Sequence, residues 1–545
     1  MLATFRIARV FAAGALTLPA ACGACSSSEP VAGPPMLVGV SVTPETAAIG
    51  ITASQPLAAI ARYSDASTSD ITTRAAWSST APAIASVSAG VVTGVAAGTA
   101  GIVASLNGKA DTSTITVTTT STGPLVLPLK VGPTSRYLTD QNGTPFLLVG
   151  DAAWSLIVQV PDADADAYLA SRQSHGFNLV LISLIDPKFA TNAPANYYLQ
   201  QPFTGLPFRS APSEAYFAHA DYVIRSAASK GITVLLAPAY LGYLCADEGW
   251  CAEIQAASIA DMTAWGEYLG NRYRDFDNIV WLIGGDTDPP ADVKAKLQAM
   301  VDGIQQHDTR HLFSAHNANG QMAIASWSGA PWLTVNNIYT YGLQYTDAQA
   351  AYSVAPAMPF FLVEAHYEGD QGISQAALRS ESYWTVLSGG FGHIFGNCPL
   401  WSFGAANRYC ATSDWRAQLS SQGTLNMQYF AKLFRARHWY SLVPDVSHTV
   451  LIAGAGTAGQ ATYAIAASAS DGSSIIAYLP SSRTVTVNGS VLSGPTMTAW
   501  WYNPSTGSAT SIGTFPTSAP QTFTPPFDAD WVLVLDSSAF NFPPL

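Results

Sequence analysis

The sequence predicts a multidomain α/β plus all-β chain: a central (β/α)8 TIM barrel flanked by an N-terminal and a C-terminal antiparallel β-sandwich. Three observations predict it. Between residues 127 and 437, unbroken apolar runs alternate with amphipathic helical stretches, the pattern of βα units. On either side, over 37–118 and 438–545, short segments of alternating polarity recur between Gly, Asp, Asn and Ser turns. A Thr/Ser/Gly-rich linker at 119–126 separates the first pattern from the second.

The first 25 residues are expected to be an export signal. Arg6 and Arg9 precede an apolar run at 10–18, and small residues follow. That run is too short to span a bilayer. Cys22 and Cys25, each after a small-residue pair, resemble a bacterial lipoprotein processing site, with Cys22 the first candidate for acylation. Pro19 or Cys22 stands where a Leu is usual three residues before. The Ser-rich stretch 26–36 would be a flexible tether. The expected address is therefore exported: a periplasmic or outer-membrane/cell-surface lipoprotein, or a secreted protein. The remaining cysteines suit that address, Cys245 with Cys251 and Cys398 with Cys410 reading as two local disulfides. A four-cysteine metal site would want C-x-x-C spacing, which is missing.

Composition narrows the class of ligand. Charged residues are 11%, against ~25% in ordinary domains, and the formal net charge is −12. With no Lys/Arg run, nucleic acid is excluded as a partner. Such a surface suits neutral, hydroxyl-rich ligands. Membrane contact is expected only through the lipid anchor, and the chain is expected to be a monomer without cofactor or metal.

In the 37–118 segment, alternating runs at 38–42, 57–63, 84–87, 101–104 and 114–117 indicate the first sandwich. Trp77 is its core candidate, and Gly94 and Gly98 hold tight backbone positions. The barrel strands are read at 146–150, 179–184, 233–237, 279–283, 312–315, 333–338 and 360–363, with the eighth around 390–395. Helices are clearest at 162–174, 213–230, 259–273, 290–307 and 374–387. Val293, Leu297, Met300, Val301 and Ile304 give one-sided helical spacing, with Pro290 in the first turn. No glycine-rich phosphate loop follows the first strand, which disfavours a doubly wound open sheet. In the last segment, runs at 474–479, 485–487, 498–502 and 531–535 with Asp-Gly and Asn-Gly turns indicate the second sandwich. Trp500, Trp501 and Tyr502 are expected to pack a sandwich core or a barrel interface rather than bind sugar.

The stretch 278–289, NIVWLIGGDTDP, organises the rest. A strand apolar on both faces ends at Gly284-Gly285, and Asp286 is the first charge beyond it. Barrel enzymes keep their chemistry just past the C-terminal ends of their strands. Such an Asp also serves as a helix N-cap, but a second acidic strand end, Glu364, appears on the seventh strand. Other ends at the same face supply Asp151 and Trp154, Tyr240, His316 and Asn317, Tyr339 and Tyr341, then His366, Tyr367 and Glu368, and finally Trp401. Together they describe a cleft that recognises hydroxyls between aromatic walls. Two carboxylates at the ends of strands four and seven are what glycosidic cleavage requires, one protonated and one ionised. Asp286 is assigned as acid/base and Glu364 as nucleophile, with the roles exchangeable at this stage. Glu368 alternatively holds Tyr367 or Arg379 from behind. Single histidines on separate strands, without a partner at i+3 or i+4, argue for hydrogen bonding rather than zinc. The absence of G-x-S-x-G removes serine hydrolase chemistry.

Several phrases carry family resemblances. Residues 61–65, 76–79 and 90–100 resemble the bacterial immunoglobulin-like group 2 domain, so the first sandwich is expected to be Ig-like. The phrases at 150–154 (GDAAW), 280–286 (VWLIGGD), 364–369 (EAHYEG) and 389–397 (GGFGHIFGN) resemble the apiosidase-like barrel of glycoside hydrolase family 140. The resemblance implies Asp286 and Glu364 as the catalytic carboxylates. Residues 439–445, 500–504 and 530–533 resemble a domain that often follows this barrel and carries a collagen-binding label. The expected function is an exported glycoside hydrolase acting on a poly- or oligosaccharide, with an apiose-containing pectic side chain as the substrate the resemblance implies. The contrasting expectation is a non-catalytic surface protein that binds glycan or collagen around a degenerate barrel.

Overall fold

The computed structural model describes residues 35–50, 54–95, 98–118, 125–370, 372–405, 410, 412–540 and 542–545. The export signal, Cys22, Cys25, nearly all of the tether and most of the linker lie outside the described residues.

The N-terminal segment is a strand-rich sandwich. Leu37–Thr43, Ala58–Tyr63 and Thr68–Asp70 form one sheet; Thr46–Gly50, Lys109–Thr118, Gly98–Leu106 and Ala76–Ser79 form another. Val42, Ala59, Ile71, Val92, Ile102 and Ile115 are buried between them. Trp77 packs against this core while its indole N–H donates to Thr72 O at 2.8 Å. One pairing departs from the antiparallel expectation: Lys109–Thr118 runs parallel to Thr46–Gly50.

Eight parallel strands build the barrel: β1 Leu148–Ala152, β2 Leu179–Ser183, β3 Thr233–Ala237, β4 Ile279–Gly284, β5 Phe313–His316, β6 Asn336–Tyr339, β7 Phe360–Glu364 and β8 Gly392–Asn397. Helices cover them: α1 Asp162–Ser174, α2 Glu214–Ser229, α3 Ile259–Tyr273, α4 Ala291–Gln305, α5 Gln344–Tyr352, α6 Gln375–Leu387 and α7 Gln422–Arg435. Ladders run β5-β4-β3-β2-β1-β8-β7-β6, and no ladder joins β5 to β6 among the described residues. The seam is closed otherwise. Asn337, fully buried on β6, sends its amide to Ser314 Oγ at 2.9 Å and Ala315 O at 2.5 Å on β5. The Val335 N–H adds a bond to Phe313 O at 3.0 Å. A side-chain amide thus replaces the backbone donors that the ring lacks there.

The first strand lies two residues later than its apolar run suggests, because Pro145–Phe146 pairs with Leu138–Thr139 in a separate small sheet. That shift has consequences at the site. It moves Asp151 from the mouth into the ladder, opposite Val180 and Phe395.

The C-terminal domain packs a six-stranded antiparallel sheet against a three-stranded one. Trp501 sits between them with Ile475, Leu479, Val487, Met497 and Leu533. The outer face of the larger sheet is not free. Ala467, Ile476, Tyr478, Tyr502, Val532 and Val534 share one core with Tyr383, Trp384, Phe430 and Phe434 of α6 and α7. Tyr383 and Tyr478 stack with centroids 4.9 Å apart. Two ion pairs lock this docking. Arg379 grips Asp530 at 2.8 and 2.6 Å, and Arg437 grips Asp536 at 2.7 and 2.6 Å, all four side chains being buried. Buried bidentate pairs tolerate one geometry, so they specify the docking register as much as they add stability.

Candidate active site

Asp286 owes its place to a backbone that few residues adopt. Gly284 (φ +88°) and Gly285 (φ +151°) turn the chain sharply past β4, and Asp286 itself has φ +51°. A Cβ on Gly285 would strike the Tyr240 ring, so glycine lets the turn lie directly on β3's aromatic. A left-handed Asp costs on the order of 1 kcal/mol or more and persists only where its surroundings hold it. Here the holder is His316, the last residue of β5. Its Nδ1 accepts the Asp286 N–H at 2.8 Å.

That bond fixes the histidine's tautomer. With Nδ1 accepting from a backbone donor, the ring proton resides on Nε2, which donates to Glu364 Oε2 at 3.0 Å. His316 is fully buried and ties the ends of β4, β5 and β7 together. Tyrosines complete the circuit. Tyr339 donates to Asp286 Oδ1 at 2.8 Å and Tyr240 to Oδ2 at 3.3 Å. Tyr341 donates to Glu364 Oε1 at 3.1 Å, and its hydroxyl lies 3.4 Å from that of Tyr339. Laid end to end, the links from Asp286 through the two tyrosines to Glu364 fall short of a nanometre. Both carboxylates therefore belong to one hydrogen-bonded cluster at the ends of the barrel strands.

Their surroundings differ. Burial pushes the Asp286 carboxyl up to about 7, the negative charge of Glu364 adds to the rise, and His316 and the two phenols oppose it. Glu364 takes one hydrogen bond on each oxygen, from His316 and from Tyr341. Burial raises Tyr240, Tyr339 and Tyr341 above the ordinary phenol range, which keeps all three as donors.

An aromatic wall stands beside the pair. Trp154, its indole N–H on the Tyr367 hydroxyl at 3.1 Å, meets Tyr240 at 5.4 Å and His316 at 5.7 Å between ring centres. Phe189 lies 6.2 Å from Tyr240 and 5.1 Å from Trp401. His366 meets the edge of Tyr341 at 5.3 Å. The structure thus gathers Trp154, Tyr240, His316, Tyr339, Tyr341, His366, Tyr367 and Trp401 around Asp286 and Glu364. Phe189 had no signal in the sequence, since it lies in the long connection after β2. The loops behind the wall are closed by Cys245–Cys251 and Cys398–Cys410, both disulfide-bonded.

Three expected substrate contacts are corrected. Asp151 is fully buried and points outward from β1, where Arg172 (3.0 Å) and Tyr168 (2.5 Å) of α1 engage it. Glu368 is buried too, holding Gln375 (2.6 Å), Asn397 (2.7 Å) and the Gly423 N–H (2.8 Å) at the start of α7. It braces neither Tyr367 nor Arg379. Asn317 is fully buried and donates to Asp288 Oδ1 at 3.1 Å, fixing the loop beyond Asp286 rather than meeting a ligand.

Comparison with known proteins matches three stretches of the chain. Residues 133–441 match the family described as "Apiosidase-like, catalytic domain", 443–536 the "Putative collagen-binding domain of a collagenase", and 38–118 the "Bacterial Ig-like domain (group 2)". A solved glycoside hydrolase family 5 protein from Bacteroides vulgatus ATCC 8482 superposes with a TM-score of 0.68. It is 25% identical, over 76% of this chain and 95% of that one. A second structure, described as a glycoside hydrolase, gives 0.67 and 25% over 76% and 98%. Ice-binding protein 1 of Shewanella frigidimarina is 30% identical over 163 residues, 27% of this chain; the match spans only 18% of that relative's length.

Proposed function

We propose, for a chain that belongs to the apiosidase-like family of glycoside hydrolases, that Asp286 and Glu364 cleave one glycosidic bond between them. The observation that carries this reading is the closed circuit of hydrogen bonds through His316, Tyr339 and Tyr341. It holds the two carboxylates at one site, while burial sets Asp286 apart by raising its carboxyl. Asp286, raised to about 7 by burial, keeps a proton for the leaving oxygen. Glu364, with a donor on each oxygen, attacks the anomeric carbon as that C–O bond breaks. The proton passes from Asp286 to the departing sugar. Asp286 then takes a proton from the water that releases the glycosyl group from Glu364, and both carboxylates return to their starting states.

The substrate proposed is a plant-type or microbial oligo- or polysaccharide, with an apiose-containing pectic side chain the first to try. Aromatic faces at Trp154, Tyr240 and Trp401 suit sugar rings. A groove of about 250 Å³ beyond Asp286, lined by Asp288, Pro289, Lys294, Gln321, Ala325 and Ser326, offers polar groups to a further unit. Export, with lipid attachment at Cys22 or Cys25, is proposed from the charged, apolar and small-residue order of the first 25 residues. The two disulfides on cleft loops support the same address. The C-terminal sandwich is proposed as a scaffold for α6 and α7, since one face of its larger sheet is spent on the barrel. The test is sugar release from a panel of pectic oligosaccharides. Asp286→Asn and Glu364→Gln should each lower kcat by ~10²–10⁴ with the fold intact, and activity equal to that of the unaltered protein in both variants would end the assignment.

A further inference from the structure

One buried carboxylate near the site has no part in this chemistry. Glu381 lies mid-way along α6 and is 1% exposed. Its Oε1 accepts twice from a single residue, His366, from the backbone N–H at 3.2 Å and from Nδ1 at 2.8 Å. His366 stands two positions beyond Glu364 on the same strand end. Its imidazole still reaches the cleft, and there it meets the Tyr341 ring edge-on at 5.3 Å. Tyr341 is 39% exposed, yet its hydroxyl is the donor to Glu364 Oε1 at 3.1 Å. A half-exposed phenol held in one rotamer needs something rigid against it. A histidine held on a buried carboxylate by both its backbone N–H and its ring is such a support.

The far side of Glu381 shows that its place is costly. Oε2 faces His393 Nε2 of β8 at 3.9 Å, and neither atom has a hydrogen-bond partner among the described residues. Burial drives His393 down to about 3, so it carries no charge to balance Glu381. Burial pushes Glu381 up to about 7 against the pull of His366. His366 is raised in turn, by the Glu381 bond first and the charge of Asp370 last. A buried, half-satisfied carboxylate is expensive, and such costs collect where a site uses them.

We propose that Glu381 is a positioning residue for the glycosidase reaction, acting through His366 and Tyr341 to keep a hydrogen-bond donor on Glu364. This rests on the reading of Glu364 as the nucleophile. Losing the Tyr341 donor removes a hydrogen bond from Glu364 where its carboxylate attacks, so the loss should fall on kcat rather than KM. Tyr341→Phe and Glu381→Met should each lower kcat about tenfold with KM little changed, and the double variant should lower it no further. Glu381→Gln, which keeps an acceptor oxygen for His366, should restore most of the rate lost in Glu381→Met. If Glu381→Met fails to fold, His366→Ala, at a partly exposed position, should give the same loss. An unchanged kcat in Glu381→Met, or losses that multiply in the double variant, overturns the inference while leaving the assignment of Glu364 intact. Full activity in Glu364→Gln would instead remove the reading beneath it.

Discussion

Tyr339→Phe removes one oxygen atom and isolates what a single phenol does for Asp286. The Tyr339 hydroxyl donates at 2.8 Å, the shorter of the two phenolic bonds on this carboxylate, and its side chain is 3% exposed. Hydrogen bonds to charged groups contribute roughly 1.5–3 kcal/mol. Cleft water will replace part of that, so the lower end applies. At 1.36 kcal/mol per pKa unit, the loss amounts to about one unit. The sign follows from which form the bond favours. Tyr339 stabilises ionised Asp286, and without it the carboxyl holds its proton to higher pH. Asp286 must be protonated to donate to the leaving oxygen, so the basic limb of kcat/KM should move from about 7 to about 8. The assay is initial rates on an oligosaccharide across the pH range, beside a thermal melt to show that the fold persists. A basic limb that stays put or moves down would refute the assignment of Asp286 as the group titrating there.

Two further outcomes follow from the same contacts. Gly285→Ala should abolish most activity while leaving the melting temperature within a few degrees, because the new Cβ displaces the Tyr240 ring and with it the turn that aims Asp286; a fully active variant would contradict this. Arg379→Met strands Asp530 at the barrel–sandwich junction and should cost about 3–5 kcal/mol in urea unfolding. Arg379→Met with Asp530→Leu should recover most of that, and a single-variant loss well under 1 kcal/mol would show the junction to be looser than its geometry implies.

The barrel was legible because its signal is local. Each apolar run and each amphipathic helix declares itself within a dozen residues, and the Gly-Gly-Asp end of β4 and the Glu end of β7 stand out against them. What failed was long-range. Asp151 looked like a strand end, but the chain spends Pro145–Phe146 on a separate hairpin and starts β1 later. Glu368 follows β7 in sequence yet pairs alongside β8, which turns it toward α7. Asn317 adjoins a site histidine and faces the other way. Glu381 had one faint signal, an acid flanked by serines two residues after Arg379 on a helix whose second half is buried. Its partner His366 belongs to a strand end fifteen residues earlier. The packing expected of the aromatic cluster did hold, Trp501 in the sandwich core and Tyr502 at the barrel interface with its hydroxyl on Tyr429 O at 2.7 Å.

The most direct test of two carboxylates sharing one linkage is rescue by azide on an activated aryl glycoside, with the anomer of the glycosyl azide read by NMR. Asp286→Ala should be rescued to give the azide with the substrate's configuration, and Glu364→Ala should be rescued to give the opposite configuration. Rescue of neither variant, or the same anomer from both, would contradict the roles assigned to Asp286 and Glu364.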